Sequence, residues 1–284
     1  MISRLRTLLI LGRVSNLPTV WSNCLAGWWL GGGGNLGKLP WLFVGATFLY
    51  IGGMFLNDAF DVEFDRAYRK ERPIPLGKIS LEAVWRFGLV WLAIGSVILV
   101  LLGETTGGLT VILVLLIIVY DAIHKSIDAA PVLMGACRLL LYLVAASIGS
   151  EGVTGWAVWG GVALMGYVVG LSFIARVETT PGALKYWPLI FLAAPICLAL
   201  VMNAGIFFPS ALAVSVIVAL WILRCLVFIL SGSQRNIGRA VSGLLAGIAL
   251  VDLVAVTDFP LQQIWIFPVL FALALLLQRF VPAS

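Results

Sequence analysis

The stretch Asn57-Asp58-Ala59-Phe60-Asp61-Val62-Glu63-Phe64-Asp65 sets four acidic side chains at the end of a run apolar enough to cross a bilayer. On a helix, Asn57, Asp61 and Asp65 fall at i, i+4 and i+8, so they stack along one face, and Asp58 sits beside them at the i, i+3 spacing to Asp61. Carboxylates gathered on one face repel one another unless a cation sits between them. Magnesium suits that role: it takes hard oxygen ligands, binds through one or two carboxylates, and shares its remaining positions with water and phosphate oxygens. The residues that follow, Arg66, Arg69, Lys70, Arg72 and Lys78, supply direct phosphate donors within a few turns. Arg72 precedes Pro73-Ile74-Pro75, a stiff segment. Local pairing of acids with bases in an ordinary cationic loop is the plainer reading, and the regular carboxylate spacing at the membrane face argues against it.

The bulk composition frames that cluster. Hydrophobic residues make up 62% of the 284 and charged residues 11%, and the mean hydropathy is +1.09. A soluble domain needs a far more charged surface, so the expected fold is an all-α, polytopic transmembrane helical bundle forming a single domain over residues 1–284. Apolar segments read at 14–32, 40–58, 84–102, 108–123, 131–149, 155–175, 186–203, 208–230, 239–256 and 263–280, giving nine to ten spans. If these alternate from a cytoplasmic N terminus, seventeen of the eighteen basic residues lie inside and Lys38 alone lies outside. The expected location is therefore the plasma (inner) membrane, with a cytoplasmic N terminus and the acidic cluster on the cytoplasmic face. The net charge of +5 follows from this asymmetry and carries no nucleic-acid signal, and no protein partner is inferred. Cys24, Cys137, Cys197 and Cys225 all fall in spans without a close pair, so they read as buried apolar side chains. The run Gly31 to Gly34 reads as a flexible outer turn.

The pattern Asn57-Asp58-x-x-Asp61-x-x-x-Asp65, followed by Arg72-Pro73-Ile74-Pro75 and Gly77, resembles the first signature of the UbiA-type intramembrane prenyltransferases. The resemblance implies a helical bundle open to lipid and a transferase of alkyl groups other than methyl. In it, Mg2+ held by aspartates grips a prenyl diphosphate, and the prenyl group passes to a lipid-accessible, often aromatic, acceptor. By matching position, Asn57, Asp58, Asp61 and Asp65 are implied as metal and diphosphate ligands, with Arg69, Lys70 and Arg72 as phosphate contacts. The family's tyrosine near the end of the fourth span, followed by cations, matches Tyr120 with His124 and Lys125; the cationic role passes to Lys125. The lone His124 reads more simply as a structural hydrogen-bonder. Asp121 and Asp128 are either turn residues or substitutes for ligands missing elsewhere.

A second aspartate pair, common between the sixth and seventh spans of the family, is absent. The corresponding stretch offers Arg176 and Glu178. Either Glu178 holds a metal with help from Asn57 or Asp121, or Arg176 acts as a fixed positive charge on the diphosphate, or catalysis has been lost. Three polar residues, Arg13, Asn16 and Asn23, share one face if the first span is a single helix, and inside a span such groups need partners. Capping is an equal reading for Arg13 and Asn16. Arg138, two turns into the fifth span, is expected to face a polar cavity, as a diphosphate contact or as half of a salt bridge. Trp21, Trp28, Trp29, Trp85, Tyr120 and Tyr142 are candidates for lining a cavity that shields a carbocation. The alternative functions are a transporter, with Asp252 and Arg138 as ion-coupling groups, a reading opposed by the expected solvation of Asp252 near the outer face, or a catalytically inactive isoprenoid-binding member of the same fold.

Overall fold

In the computed structural model, residues 2–34, 36–179, 187–203, 208–230, 236–258 and 264–283 are described, without the side chains of 2, 3 and 177–179. Every regular element among them is helical. Two pieces precede the first long helix: α1 (Ile2–Leu11), and a 3-10 turn at Val14–Asn16 that leads into α2 (Leu17–Leu30). The chain continues through α3 (Leu39–Phe60), α4 (Val62–Tyr68), α5 (Leu81–Val100), α6 (Glu104–Ile123), α7 (Ala130–Ala146) and α8 (Gly155–Thr179). A 3-10 segment at Trp187–Ala193 leads into α9 (Ala194–Met202), followed by α10 (Phe208–Leu230), α11 (Ile237–Ala255) and α12 (Ile266–Leu277).

All ten apolar segments read from the sequence are helical over most of their length. Among the described residues six helices are long and apolar enough to cross a membrane: α3, α5, α6, α8, α10 and α11. The other four apolar segments are shorter, so length alone supports six spans and leaves the expected nine to ten without that support. Local breaks account for the shortening. Arg13 is the one described non-glycine residue with positive φ, at 42°, and it separates α1 from the 3-10 turn. Pro188 lies within the 3-10 segment that runs into α9, and Pro195 opens that helix. The outward faces are apolar, as bilayer contact requires: on α10, Leu212, Leu220, Leu223 and Val227 are exposed while Ala211, Val218, Ile222 and Cys225 are buried.

Packing is close enough to bring backbones together. Helices α3 and α5 run antiparallel, pairing Gly45 with Leu99, Leu49 with Gly95, Gly52 with Leu92 and Leu56 with Gly88. Small residues at such a crossing let van der Waals contact drive association where lipid removes the hydrophobic drive. Helices α2 and α7 run parallel, with Thr19 near Arg138 and Gly27 near Tyr142 and Ala145. Helix α1 lays Leu8 and Leu11 against Phe55, Ala59 and Val62 at the acidic end of α3. The glycine run is not loose. Gly33 and Gly31 carbonyls accept from Ser150 and Glu151 amides at 2.9 Å, which ties the turn to the α7–α8 connection.

A Cβ added at Gly95 would lie 2.7 Å from both Gly45 O and Leu49 N, whereas one at Gly108 meets nothing within 4 Å. Gly95→Ala is therefore expected to lower the melting temperature of the detergent-solubilised protein, with an overpacking cost of about 1–3 kcal/mol. Gly108→Ala should leave it unchanged or raise it through helix propensity. Equal melting temperatures for the two variants would show that the α3–α5 seam has room to spare.

Candidate active site

The acidic stretch straddles a helix break. α3 ends at Phe60, Asp61 has φ −80° and ψ −1°, and α4 begins at Val62. The i to i+4 hydrogen bonds from Asp61 N to Asn57 O and from Asp65 N to Asp61 O persist at 3.0 and 2.9 Å. The face expected from spacing therefore survives the break, with Asn57, Asp58, Asp61 and Asp65 all buried.

Each of these groups faces a different partner. Arg13, swung inward by the left-handed turn, donates from Nη2 to Asn57 Oδ1 and Asp58 Oδ1, both at 3.2 Å. Asn57 Nδ2 donates to Asp121 Oδ1 at 3.1 Å. Asp61 lies 3.2 Å from His124 Nε2 through one oxygen and 3.2 Å from Lys125 Nζ through the other. Lys125 also sits over the Phe64 ring at 4.0 Å, and His124 stacks on Tyr120 with 4.9 Å between centroids. Asp61 is 8% exposed. Burial raises its carboxyl, but the His124 and Lys125 contacts outweigh that effect and hold it below its ordinary value. Asp65 moves the other way. Burial pushes its carboxyl up, against the pull of Arg72 and with Asp58 and Asp61 adding to the rise.

Above this layer lies a cavity of about 520 Å³ between α3, α4, α6, α7, α8 and α11. Its charged end is lined by Arg13, Arg69, Arg72, Lys125, Arg138 and Arg176, with Asp61 and Asp121 as the lining carboxylates among the described residues. Six cations against two carboxylates make an anion site. The other end is apolar, lined by side chains such as Leu49, Leu113, Ile117, Leu141, Leu171 and Ile248. The cavity thus fits a ligand with an anionic head and a hydrocarbon tail.

Several expected residues converge here. Asn57, Asp61, Tyr120, Lys125, Arg69, Arg72, Arg13, Asn16, Arg138 and Arg176 all line the cavity, while Asp58 and Asp65 lie buried behind that lining. Lys70 is exposed and lines no part of it. The Glu178 side chain is outside the described residues. Arg13, Asn16 and Asn23 do not share one helix face, since α2 begins only at Leu17. Arg13 reaches the site because its left-handed turn redirects it. Asn16 donates to Tyr50 Oη at 3.3 Å and to the Ala283 carbonyl at 2.9 Å.

Arg138 faces the cavity as expected. Its Nη1 donates to Asn23 Oδ1 at 2.7 Å, and its guanidinium lies 5.8 Å from the Tyr50 ring. Arg176 donates to the Ile127 and Asp128 carbonyls at 3.1 and 2.8 Å, closing the α6–α7 connection over the charged end. Of the aromatic residues singled out in the sequence, only Tyr120 lines this cavity; Tyr50 and Phe64 join it, and spacing along the chain carried no signal for either. Asp252 is not solvated near a face. It is 1% exposed and accepts from Ser22 and Asn23 at 2.5 and 2.7 Å.

Among the described residues no three His, Cys, Asp or Glu side chains converge on one point in the way a ready-made metal cage requires. At this site two carboxylate oxygens of the described residues are nevertheless buried without a partner, Asp65 Oδ1 and Asp121 Oδ2. Orphaned acceptors beside a cationic cavity fit a metal that arrives with its phosphate and takes only one or two protein carboxylates, the habit of magnesium.

Comparison with known proteins assigns the class. The UbiA prenyltransferase family matches residues 16–248, and the chain belongs to that family. It is an all-helical, integral, multi-pass membrane protein. Among its relatives, the digeranylgeranylglyceryl phosphate synthase of Sulfolobus acidocaldarius is 26% identical over 144 residues, covering 51% of this chain and 52% of that protein. The protein of the same name from Pyrococcus horikoshii is 41% identical over 66 residues, 23% of this chain and 24% of the relative. The matched segments thus span about half the length of these relatives or less. In structure, a UbiA homolog from Aeropyrum pernix K1 superposes with TM-score 0.69 at 17% identity, covering 88% of this chain and 98% of that one. One from Archaeoglobus fulgidus bound to GPP and Mg2+ gives 0.66 at 13% identity, covering 94% and 99%. At these identities the agreement establishes the fold.

A carboxylate held below its ordinary value contributes stability that is present above the unfolded value, 3.8, and lost as pH falls through the folded one. Thermal melts of wild type and Asp61→Asn are therefore expected to differ most near neutral pH and to converge as pH drops below about 4. A gap that stays constant down to pH ~3 would mean that Asp61 makes no favourable charge contacts in the folded protein.

Proposed function

We propose that the chain is a magnesium-dependent prenyltransferase that grips a prenyl diphosphate in the 520 Å³ cavity, its diphosphate at the cationic end and its chain along the apolar end. The observation that carries this reading is the join of six basic side chains to a largely apolar chamber. Asp58, Asp61, Asp65 and Asn57 retain the roles expected of them, and Asp121 joins them through its hydrogen bond to Asn57. Asp65 and Asp121, with their orphaned oxygens, would join Asn57, Asp58 and Asp61 in holding the magnesium, and the bound ion would neutralise charge on the leaving diphosphate. Arg13, Arg69, Arg72 and Lys125 donate to the phosphate oxygens as negative charge develops there. Arg176 and Arg138 extend that field at the mouth and at the deep side, in place of a second aspartate pair. Tyr120, Tyr50 and Phe64 offer ring faces to the allyl cation and help to exclude water.

In the reaction the carbon–oxygen bond to diphosphate breaks and a carbon–oxygen bond forms to an acceptor hydroxyl, releasing diphosphate and the hydroxyl proton. The names of the relatives favour a glyceryl phosphate bearing one prenyl chain as the acceptor over an aromatic ring. The charged face is cytoplasmic by the positive-inside bias, with the N terminus on the same side, and the bilayer is the plasma membrane.

Purified protein is expected to bind a non-hydrolysable geranylgeranyl diphosphate analogue in a magnesium-dependent way, and to transfer the geranylgeranyl group from the diphosphate to geranylgeranylglyceryl phosphate. Asp61→Asn and Asp121→Asn should each lose the magnesium dependence and reduce transfer by about 100-fold or more, the scale of losing one electrostatic stabiliser of a transition state. The asparagine replacement is the suitable one, because a smaller residue at Asp61 would leave His124 and Lys125 facing a void. Magnesium-independent binding that both variants keep would overturn the assignment. Binding without transfer to this acceptor would leave the donor site standing and remove the acceptor.

A further inference from the structure

A second cavity, of about 400 Å³, lies at the opposite end of the bundle from the diphosphate site. The closing ends of α2, α7, α9 and α11 and the start of α8 form its walls. Its floor holds two polar side chains that nothing in the proposed reaction uses. Asp252 and Tyr142 both line it and are 1% and 0% exposed. Asp252 Oδ2 is taken by Ser22 and Asn23, whereas Asp252 Oδ1 and the Tyr142 hydroxyl have no partner. A buried carboxylate oxygen and a buried hydroxyl without partners, on two residues that line the same space, cost free energy unless something completes them.

The chemistry of what would complete them can be read from the rest of the lining. Glu151 and Asp258 stand exposed at the mouth, and among the described residues no lysine or arginine lines the cavity. Trp29, Trp156 and Trp159 add aromatic walls. Three carboxylates and indole faces, with no basic side chain in the described lining, make an environment for a cation. An unpaired carboxylate oxygen beside a hydroxyl favours one that donates hydrogen bonds, so an ammonium fits where a quaternary amine would not. The charge signature is the inverse of the diphosphate site's, so a prenyl diphosphate is excluded here by repulsion.

We propose that this cavity binds a protonated primary amine, with its ammonium against Asp252 Oδ1 and the Tyr142 hydroxyl and its carbon chain between the tryptophans. The amine comes either free from water or as the ammonium of a phospholipid headgroup. The site is also wired to the first cavity. Asp252 accepts from Asn23, whose Oδ1 accepts from Arg138, and Arg138 lines the diphosphate cavity. Occupancy at one end thus bears on the orientation of a cation at the other.

The test titrates butylammonium into the full-length protein in detergent near neutral pH, read by calorimetry and tryptophan fluorescence, with 1-butanol as the neutral isostere. Saturable binding of butylammonium and none of 1-butanol is expected. Asp252→Asn should weaken it by about tenfold or more, the loss of a charged hydrogen bond. Because Asp252→Asn touches a buried network, Trp159→Ala and the pair Glu151→Gln with Asp258→Asn, all at exposed positions, serve as variants that keep the fold. Each should weaken binding severalfold. In nanodiscs, competition by phosphatidylethanolamine but not phosphatidylglycerol identifies the lipid as the source, and its absence identifies the free amine. Equal binding of 1-butanol, no saturable binding, or affinity unchanged across all the variants would overturn the proposal.

Discussion

Asp61 meets His124 through one carboxylate oxygen and Lys125 through the other, each at 3.2 Å, and this contact fastens the end of α3 to the end of α6 at the charged face. Charge buried in an apolar bundle has no water to turn to, so each ionised group must find its partner inside the protein. The same constraint explains why Arg13 abandons helical geometry. Only by adopting a left-handed φ of 42° does it reach both Asn57 and Asp58, and the two acceptors compensate the strained turn. Asn57, bonded to Arg13 and to Asp121, links the first segment to α6 through α3.

This polar layer works because the helices around it pack closely enough to exclude solvent. The seam of α3 and α5 brings Gly95 against Leu49 and Gly52 against Leu92, and Gly27 does the same for α2 against α7. Without a hydrophobic drive in lipid, such contacts hold the helices at a fixed distance and so fix where the carboxylates stand. The cavity is then what remains when side chains of six helices surround a layer of charge. Its apolar end belongs to the interior of the bundle, and its cationic end belongs to the loops.

The two cavities divide the molecule by sign. Arginines and lysine gather at one end, while Glu151, Asp252 and Asp258 gather at the other. Arg138 and Asp252, each set deep in the bundle, are joined by Asn23 rather than by a direct contact. A neutral amide between them shares hydrogen bonds with both, so each charge keeps a free side toward its own cavity.

The acidic face of α3 and α4 was legible from spacing alone, because four-residue intervals place side chains on one face whether or not the helix breaks at Asp61. The membrane class was equally legible, since a composition this apolar leaves no other solvent for the surface. Local sequence carried no signal for the partners across the bundle. Tyr50 and Phe64 line the first cavity because of how α3 and α4 are turned, and Tyr142, which read as a cavity aromatic, lines the second one. A shared face for Arg13, Asn16 and Asn23 and a capped start at Asn16 read equally well in the sequence, and Asn16 ahead of Pro18 is the local signal for the start that the structure adopts. The turn there is set by the pull of carboxylates more than forty residues away. Periodicity and composition act locally and so determined the helices and the chemistry of the charged face. Which charge pairs with which, and which oxygens stay open for a ligand, depend on distances between segments remote in the chain, and only the tertiary structure decided them.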